Sequence, residues 1–539
     1  MAPVLILLLS MPLSPWSKAL KPFSKPPGVD RPEKIRYPVQ GEGEAVVLLV
    51  DFSDNPYQAQ KEHFDTLVYG SSFGTMNHYY RDVSADRYGI SPLSFVSNWL
   101  RAPETYSFYV GDSFGLTNQF PRNAQGLVYA ACSLADPLVD FSQYDTDGDG
   151  YVDILLVVHA GPGAEEGGVP SRIWSHKWQL SSDYLGCPGP YQTNDGVLVD
   201  VYAMEPEWLE RDNAPITVGV FVHEFGHVLG LPDLYDIDYS SYGIGSFCLM
   251  AAGSWNQISE SAPAGSSPAR LSAWCRYILG WADEKALERG GITELLDEPI
   301  PASTDRIYRF LENPNGPDWN DSTGGNGEYF LVENRYQSGY DQGLPGSGLL
   351  ILHCDESQTD NSIDNHPLVG IMQADNDDSP VLSDLGSSAD LWKDDSLGFG
   401  FSSIPSSYLY DGNPSGATVR DIPTADSIMI TDLELEPILF GKVYSFPNPI
   451  IGNKNATILY IPSDTTEFIG EYPYFKVTIF NLAGEKVRIL DQGGEIDRFT
   501  RRAFWDGRND SGERATSGVY FYLIESEGQR NRGIMTLIR

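Results

Sequence analysis

The residues with the clearest chemical potential lie in one short stretch, His223-Glu224-Phe225-Gly226-His227-Val228-Leu229-Gly230-Leu231-Pro232-Asp233. Two histidines four positions apart sit one turn apart on the same side of a helix. Their imidazole nitrogens can therefore share one metal ion. Glu224, next to the first histidine, can take a proton from a water that the metal activates and pass it to a leaving amine. Catalytic zinc needs a third protein ligand and an open position. Gly230 can end the helix and Pro232 prevents its continuation, so the chain must turn and Asp233 can come back toward the metal. The expected ligands are His223, His227 and Asp233, with Glu224 as general base. The alternative is a buried helix whose histidines are merely satisfied core groups. The flanking apolar helix and the stop weigh against it.

A second cluster reads Asp145-Thr146-Asp147-Gly148-Asp149-Gly150-Tyr151-Val152-Asp153. Carboxylates fall at positions 1, 3, 5 and 9, glycine at 6, and the Tyr151 carbonyl can add an oxygen at 7. That is the ligand spacing of a hard cation such as Ca²⁺. Position 12, where an EF-hand has a bidentate Glu, is Leu156 inside a strand, so the loop is EF-hand-like without being an EF-hand. Crowded carboxylates with no cation would repel one another; an acidic solvated turn is the alternative. His176 and Glu205 lie between the first strands and the zinc helix and could approach the site, although packing is the better reading for His176.

Buried strands and helices must position these groups. AVVLLVDF (45–52) and YVDILLVVH (151–159) read as fully buried strands, and Met76 to Tyr88 and Thr217 to Leu229 as helices. This mixture over residues 41–290 implies an α/β or α+β domain. From residue 291 helical signals fade. YFLVENR (329–335) and GLLILHCDE (348–356) read as strands of a β-rich region, residues 291–440. Residues 441–539 alternate in short strands, including ATILYIP, FKVTIFNLAG and GVYFYLIES, as in a small β-sandwich with Trp505 as a core anchor.

The chain of 539 residues carries a net charge of −38. Residues 441–539 hold 13 basic and 12 acidic residues, leaving 23 basic and 62 acidic upstream, which marks a boundary near residue 440. So acidic a chain would be repelled by phosphates, which makes it a poor binder of anionic membranes and argues for no nucleic-acid partner. Residues 1–19 read as a signal peptide and the Pro-rich residues 20–40 as a linker or propeptide remnant. No later run is long and apolar enough to make an integral membrane protein. Of the five cysteines none forms a CxxC pair, so a Cys-based zinc site is not expected. At most two disulfides can form, in a pairing the sequence leaves open, and buried thiols are an equal alternative.

HEFGHVLGLPD resembles the extended zinc signature of metzincin metalloproteases in its Asp-ending form. With LPDLYD, Cys248-Leu249-Met250-Ala251-Ala252-Gly253-Ser254-Trp255, MNHYYRDVSADRYGI (76–90), IWSHKW (173–178) and SPARLSAWCRYILGW (267–281), it resembles the immune inhibitor A family of secreted bacterial metallopeptidases. The resemblance implies a metzincin-like catalytic domain and a Met-turn at Met250 beneath the metal. FPNP (446–449), VTIFNLAGEKVRIL (477–490) and WDGRNDSGERATSGVYFYLI (505–524) resemble flagellar-hook-cap-like immunoglobulin folds and type IX secretion sorting domains. They imply export or surface attachment, with secretion machinery as a partner.

The expectation is thus a multidomain, secreted or cell-surface zinc endopeptidase acting on protein substrates, with Ca²⁺ as a second cofactor. The rivals are a non-catalytic adhesin, against which the intact Glu224 argues, and a metal-dependent hydrolase of esters or non-peptide amides.

Overall fold

The computed structural model describes residues 39–436 and 443–539, apart from residues 112, 183–184, 376, 401–402, 414, 453–454, 461–474, 492–494, 498–501 and 527–528. The expected signal peptide, and the linker as far as residue 38, lie outside the described residues. The chain divides into two compact units. One runs to Gly398 with Ser403–Pro405 and Val419–Leu433; the other comprises Phe399–Ser402, Ser406–Thr418 and Glu434–Arg539. No helix among the described residues is long and apolar enough to cross a membrane.

The first unit is organised by a seven-stranded sheet. Its strands are β1 (Ala45–Asp51), β2 (Phe95–Val96), β3 (Leu100–Arg101), β4 (Ile154–Pro162), β5 (His176–Gln179), β6 (Val201–Leu209) and β7 (Ala214–Pro215). The order is β7-β6-β4-β1-β2, with β3 also beside β1 and β5 also beside β6. β1, β4 and β6 are parallel, and β5 runs antiparallel to β6. Every residue of β1 is buried, as a continuous apolar run in a sheet covered on both faces requires.

Alternation sorts the two faces of β6. Tyr202 and Met204 join the core formed with α2 (Ala124–Ala135). Ala203, Glu205 and Glu207 point to the other face, where α3 (Val218–Val228) packs. α1 (Met76–Val83) braces α3: the Tyr80 hydroxyl donates to the Val222 carbonyl at 2.6 Å. α1 is shorter than the expected Met76–Tyr88, because Ala85 and Asp86 take positive φ and turn the chain. Tyr88 then stacks on Phe225 of α3.

α4 (Ala273–Ile278) leads into a second, five-stranded sheet: β8 (Asp283–Leu287), β9 (Arg306–Phe310), β10 (Glu328–Arg335), β11 (Gly348–Asp355) and β12 (Val369–Ile371), paired in that order. Arg335 of β10 is buried, bidentate to Asp341, and donates to the Phe247 carbonyl at 2.6 Å. It thereby ties this sheet to the loop that carries Met250. Like the buried Arg276–Glu333 ion pair, it would leave an unpaired buried charge if one partner were lost.

The second unit holds two sheets. One is β13 (Val443–Phe446), β15 (Ala456–Tyr460), β19 (Arg502–Trp505) and β18 (Ile496–Asp497). The other is β14 (Ile450–Ile451), β21 (Gln529–Ile538), β20 (Gly518–Ser526), β16 (Lys476–Asn481) and β17 (Lys486–Leu490). Ile458, Val477, Ile479, Trp505, Tyr522 and Leu537 share one core, in which Trp505 is fully buried and donates to the Arg508 carbonyl at 2.8 Å.

Candidate metal centre

α3 carries both histidines, and its residues are buried along nearly the whole length. After the C-cap, Leu229, Gly230 adopts φ +99, a left-handed conformation that ends the helix at little cost. The chain then doubles back so that the Leu231 amide reaches the Gly226 carbonyl at 3.0 Å. This return delivers Asp233. Its Oδ1 lies 3.2 Å from His223 Nε2 and 3.1 Å from His227 Nε2. The three groups form a set able to hold one ion.

The outward-turned nitrogens explain the orientation. His223 Nδ1 lies 2.9 Å from the Leu249 carbonyl and His227 Nδ1 2.8 Å from the Leu231 carbonyl. A carbonyl can only accept, so Nδ1 carries a proton in each ring, and in the neutral ring Nε2 is the nitrogen with the free lone pair. Asp233 Oδ1 is buried and makes no regular hydrogen bond, facing instead the two Nε2 atoms. Donors on a tetrahedral zinc with bonds of about 2.0–2.1 Å stand about 3.3 Å apart. The observed spacings and the orphaned buried oxygen fit that ion. Burial alone would raise the Asp233 pKa, but the adjacent His227 and His223 hold it well below the usual carboxylate range.

Glu224 is buried beside this triangle. Desolvation pushes its pKa up to about 8, assisted by Asp233 and Glu165 and opposed by His223. Glu205, on the β6 face toward α3, is fully buried with both carboxylate oxygens unpartnered. Its pKa is raised by burial first and then by Glu224 and Glu165. His176 engages both ring nitrogens, with the Trp174 carbonyl at 2.6 Å and the Tyr202 hydroxyl at 3.2 Å. That is a packing role.

Met250 is fully buried below α3. A Cβ on Gly226 would stand 2.5 Å from its sulfur, so any larger residue there would displace the buried Met250 side chain. The Met250 carbonyl accepts from the Leu234 amide at 2.7 Å, which anchors the segment following Asp233. Tyr235 stacks on His223, ring centroids 6.4 Å apart. The carbonyls of Leu249 and Leu231 escaped sequence reasoning because every residue carries one. Glu165 and Tyr235 escaped it because nothing local marks them as neighbours of the site.

The acidic loop differs from expectation. Asp145, Asp147 and Asp149 converge, but Asp153 does not join them. It is buried at the foot of β4, and its carboxylate accepts from the amide and hydroxyl of Thr146, which closes the loop. Tyr151 donates its amide to Asp149 and pairs with Leu198.

Residues 39–282 match the family model described as immune inhibitor A peptidase M6, catalytic domain. Among relatives, the immune inhibitor A of Bacillus thuringiensis subsp. alesti is 31% identical over 313 residues, covering 48% of this chain and 44% of that protein. The pre-pro-metalloprotease PrtV of Vibrio cholerae serotype O1 is 27% identical over 284 residues, covering 43% and 29%. The chain thus spans less than half the length of these curated relatives. A solved structure, latent dimeric PorU of Porphyromonas gingivalis, matches at 18% identity with a TM-score of 0.15, covering 21% of this chain and 11% of that one. The likeness to the immune inhibitor A peptidase catalytic domain is confined to residues 39–282 by the family model.

Proposed function

We propose that this protein is a secreted zinc endopeptidase in which His223, His227 and Asp233 hold the metal and Glu224 is the general base. The observation that carries the reading is the triangle of two inward-facing Nε2 atoms and an orphaned carboxylate oxygen, 3.1–3.2 Å from each, beside a buried glutamate. Zinc bound there would supply Lewis acidity toward a scissile carbonyl and lower the pKa of water. Glu224 would accept the proton of the attacking water and return it to the leaving amine. The Leu249 and Leu231 carbonyls keep the histidines in the ligating tautomer, and Met250 supports the helix from below. Burial raises the proton affinity of Glu224, which suits a group that must both accept and donate.

In the same reading, Asp145, Asp147 and Asp149 take a calcium ion, and residues 441–539 serve export or surface attachment. A casein or gelatin zymogram with and without phenanthroline tests the activity. Clearing that phenanthroline abolishes supports it; none from zinc-loaded protein refutes it. An adhesin would show none, and an ester hydrolase would cleave only non-peptide substrates.

A further inference from the structure

The catalytic reading leaves a pair of thiols unused. Cys248 lies two residues before Met250, and Cys275 lies in α4. Both are fully buried, and their sulfurs are 3.8 Å apart. Among the described residues no other cysteine makes a sulfur–sulfur contact. Cys248 Sγ also accepts from the amides of Met250 and Ser272, each at 3.4 Å, and the Ser272 hydroxyl donates to Cys275 Sγ at 3.4 Å. The Ser272 side chain in turn caps α4 by accepting from the Cys275 amide. Two sulfurs held face to face by three separate donors are more constrained than two core thiols that merely fill space.

A disulfide requires a sulfur separation of about 2.05 Å. The pair must therefore close by less than about 2 Å, the scale of a side-chain rotation.

We propose that Cys248 and Cys275 are a disulfide-forming pair, a modification site that staples the Met250 loop to α4 when the chain folds in the presence of a small-molecule disulfide such as oxidised glutathione. The thiolate of one cysteine attacks the glutathione disulfide, forming a mixed disulfide and expelling one glutathione thiolate. The second cysteine, deprotonated, attacks the protein sulfur of that mixed disulfide and expels the other glutathione. Two protein thiols are oxidised, one glutathione disulfide is reduced to two thiols, and the two thiol protons end on the glutathiones. Burial restricts the reaction to folding or to local opening. The closed link spans 27 positions of chain, including Leu249, whose carbonyl orients His223, and Met250 beneath Gly226.

The test refolds the full chain, carrying Glu224→Ala to prevent self-cleavage, over a range of reduced-to-oxidised glutathione ratios. Free thiols are then trapped with iodoacetamide in denaturant, and intact and peptide masses are read. The expected result is three alkylated cysteines out of five, with a cross-linked peptide joining Cys248 to Cys275. Five alkylated cysteines at every ratio, or a cross-link through any other pair, overturns the proposal. Thermal melting adds an independent reading. The oxidised chain melts a few degrees above the reduced chain, and the difference vanishes in Cys248→Ala and in Cys275→Ala. A difference that persists in either variant overturns it. The mass measurement requires neither cysteine variant to fold.

Discussion

Both candidate metal sites were drawn from residue spacing, yet they are built differently. The His223–His227–Asp233 cluster sits on a buried helix and its return turn, with each histidine tied to a backbone carbonyl. The Asp145–Asp147–Asp149 cluster sits on a loop whose carboxylates bond largely to the loop's own amides. On the helix, spacing translated into geometry because α-helical rise and twist are fixed and the groups behind the ligands are packed. On the loop it translated in part, because a competing local acceptor role took Asp153 away toward Thr146.

The sharpest way to break this contrast is Glu224→Ala. Proteolysis should fall by about 100- to 10,000-fold, the usual worth of a general base, while zinc content measured by mass spectrometry stays unchanged. Retained cleavage would remove the proposed mechanism. Asp233→Ala should instead lose zinc together with activity, since two histidines alone leave the site a ligand short.

Acid should pull the buried histidines of the seven-stranded sheet and the acidic loop in opposite directions. His159 is fully buried with Nε2 unpartnered, and burial lowers its pKa to about 4; burial lowers His176 to about 4 as well. Both bind protons more readily when unfolded, so their contribution to stability is intact above about pH 6.5 and is lost as pH falls toward 4. For His159 the loss is about 3 kcal/mol. Asp149 and Asp153 have raised pKa values, from burial first, with contributions from Asp147 and Asp145. Their folded forms favour the proton, so lowering the pH through their folded pKa relieves the loop. The raised carboxylates of Glu224 and Glu205 act in the same sense as the loop, so the histidine is read by difference: in urea melts from pH 7.5 to 4 in EGTA, His159→Gln should lose less stability on acidification than the parent, and an unchanged pH slope in that variant would count against the histidine.

Gly226→Ala should cost about 1–3 kcal/mol through overpacking against Met250, read as a lower denaturant midpoint with faster zinc loss to a chelator. The equivalent perturbation of the loop should be the smallest. Asp147→Asn removes one exposed like charge, so it should change chelator-treated protein by under about 0.5 kcal/mol. It should abolish any stabilisation by added calcium if the cluster binds that ion.

Much of the site was legible in residue order. The i, i+4 histidines, the glycine stop and the proline each act through local backbone geometry, and local rules reached as far as Asp233. The same rules located β1, β4, α3 and the strands of the second unit, where burial leaves a period or an unbroken apolar run. They overran α1, because Ala85 and Asp86 are ordinary residues held at positive φ by their surroundings.

Sequence by itself determined which side chains can bind a metal and on what element they ride, since ligand chemistry and helical pitch are local properties. Only the tertiary structure decided which nitrogen of each histidine faces Asp233 and how closely Met250 approaches residue 226. It also decided which of five cysteines meet and that Asp153 serves its own loop. Each of those depends on a partner brought close by packing from elsewhere in the chain or by the exact path of a turn, and no spacing in the sequence encodes that partner's position.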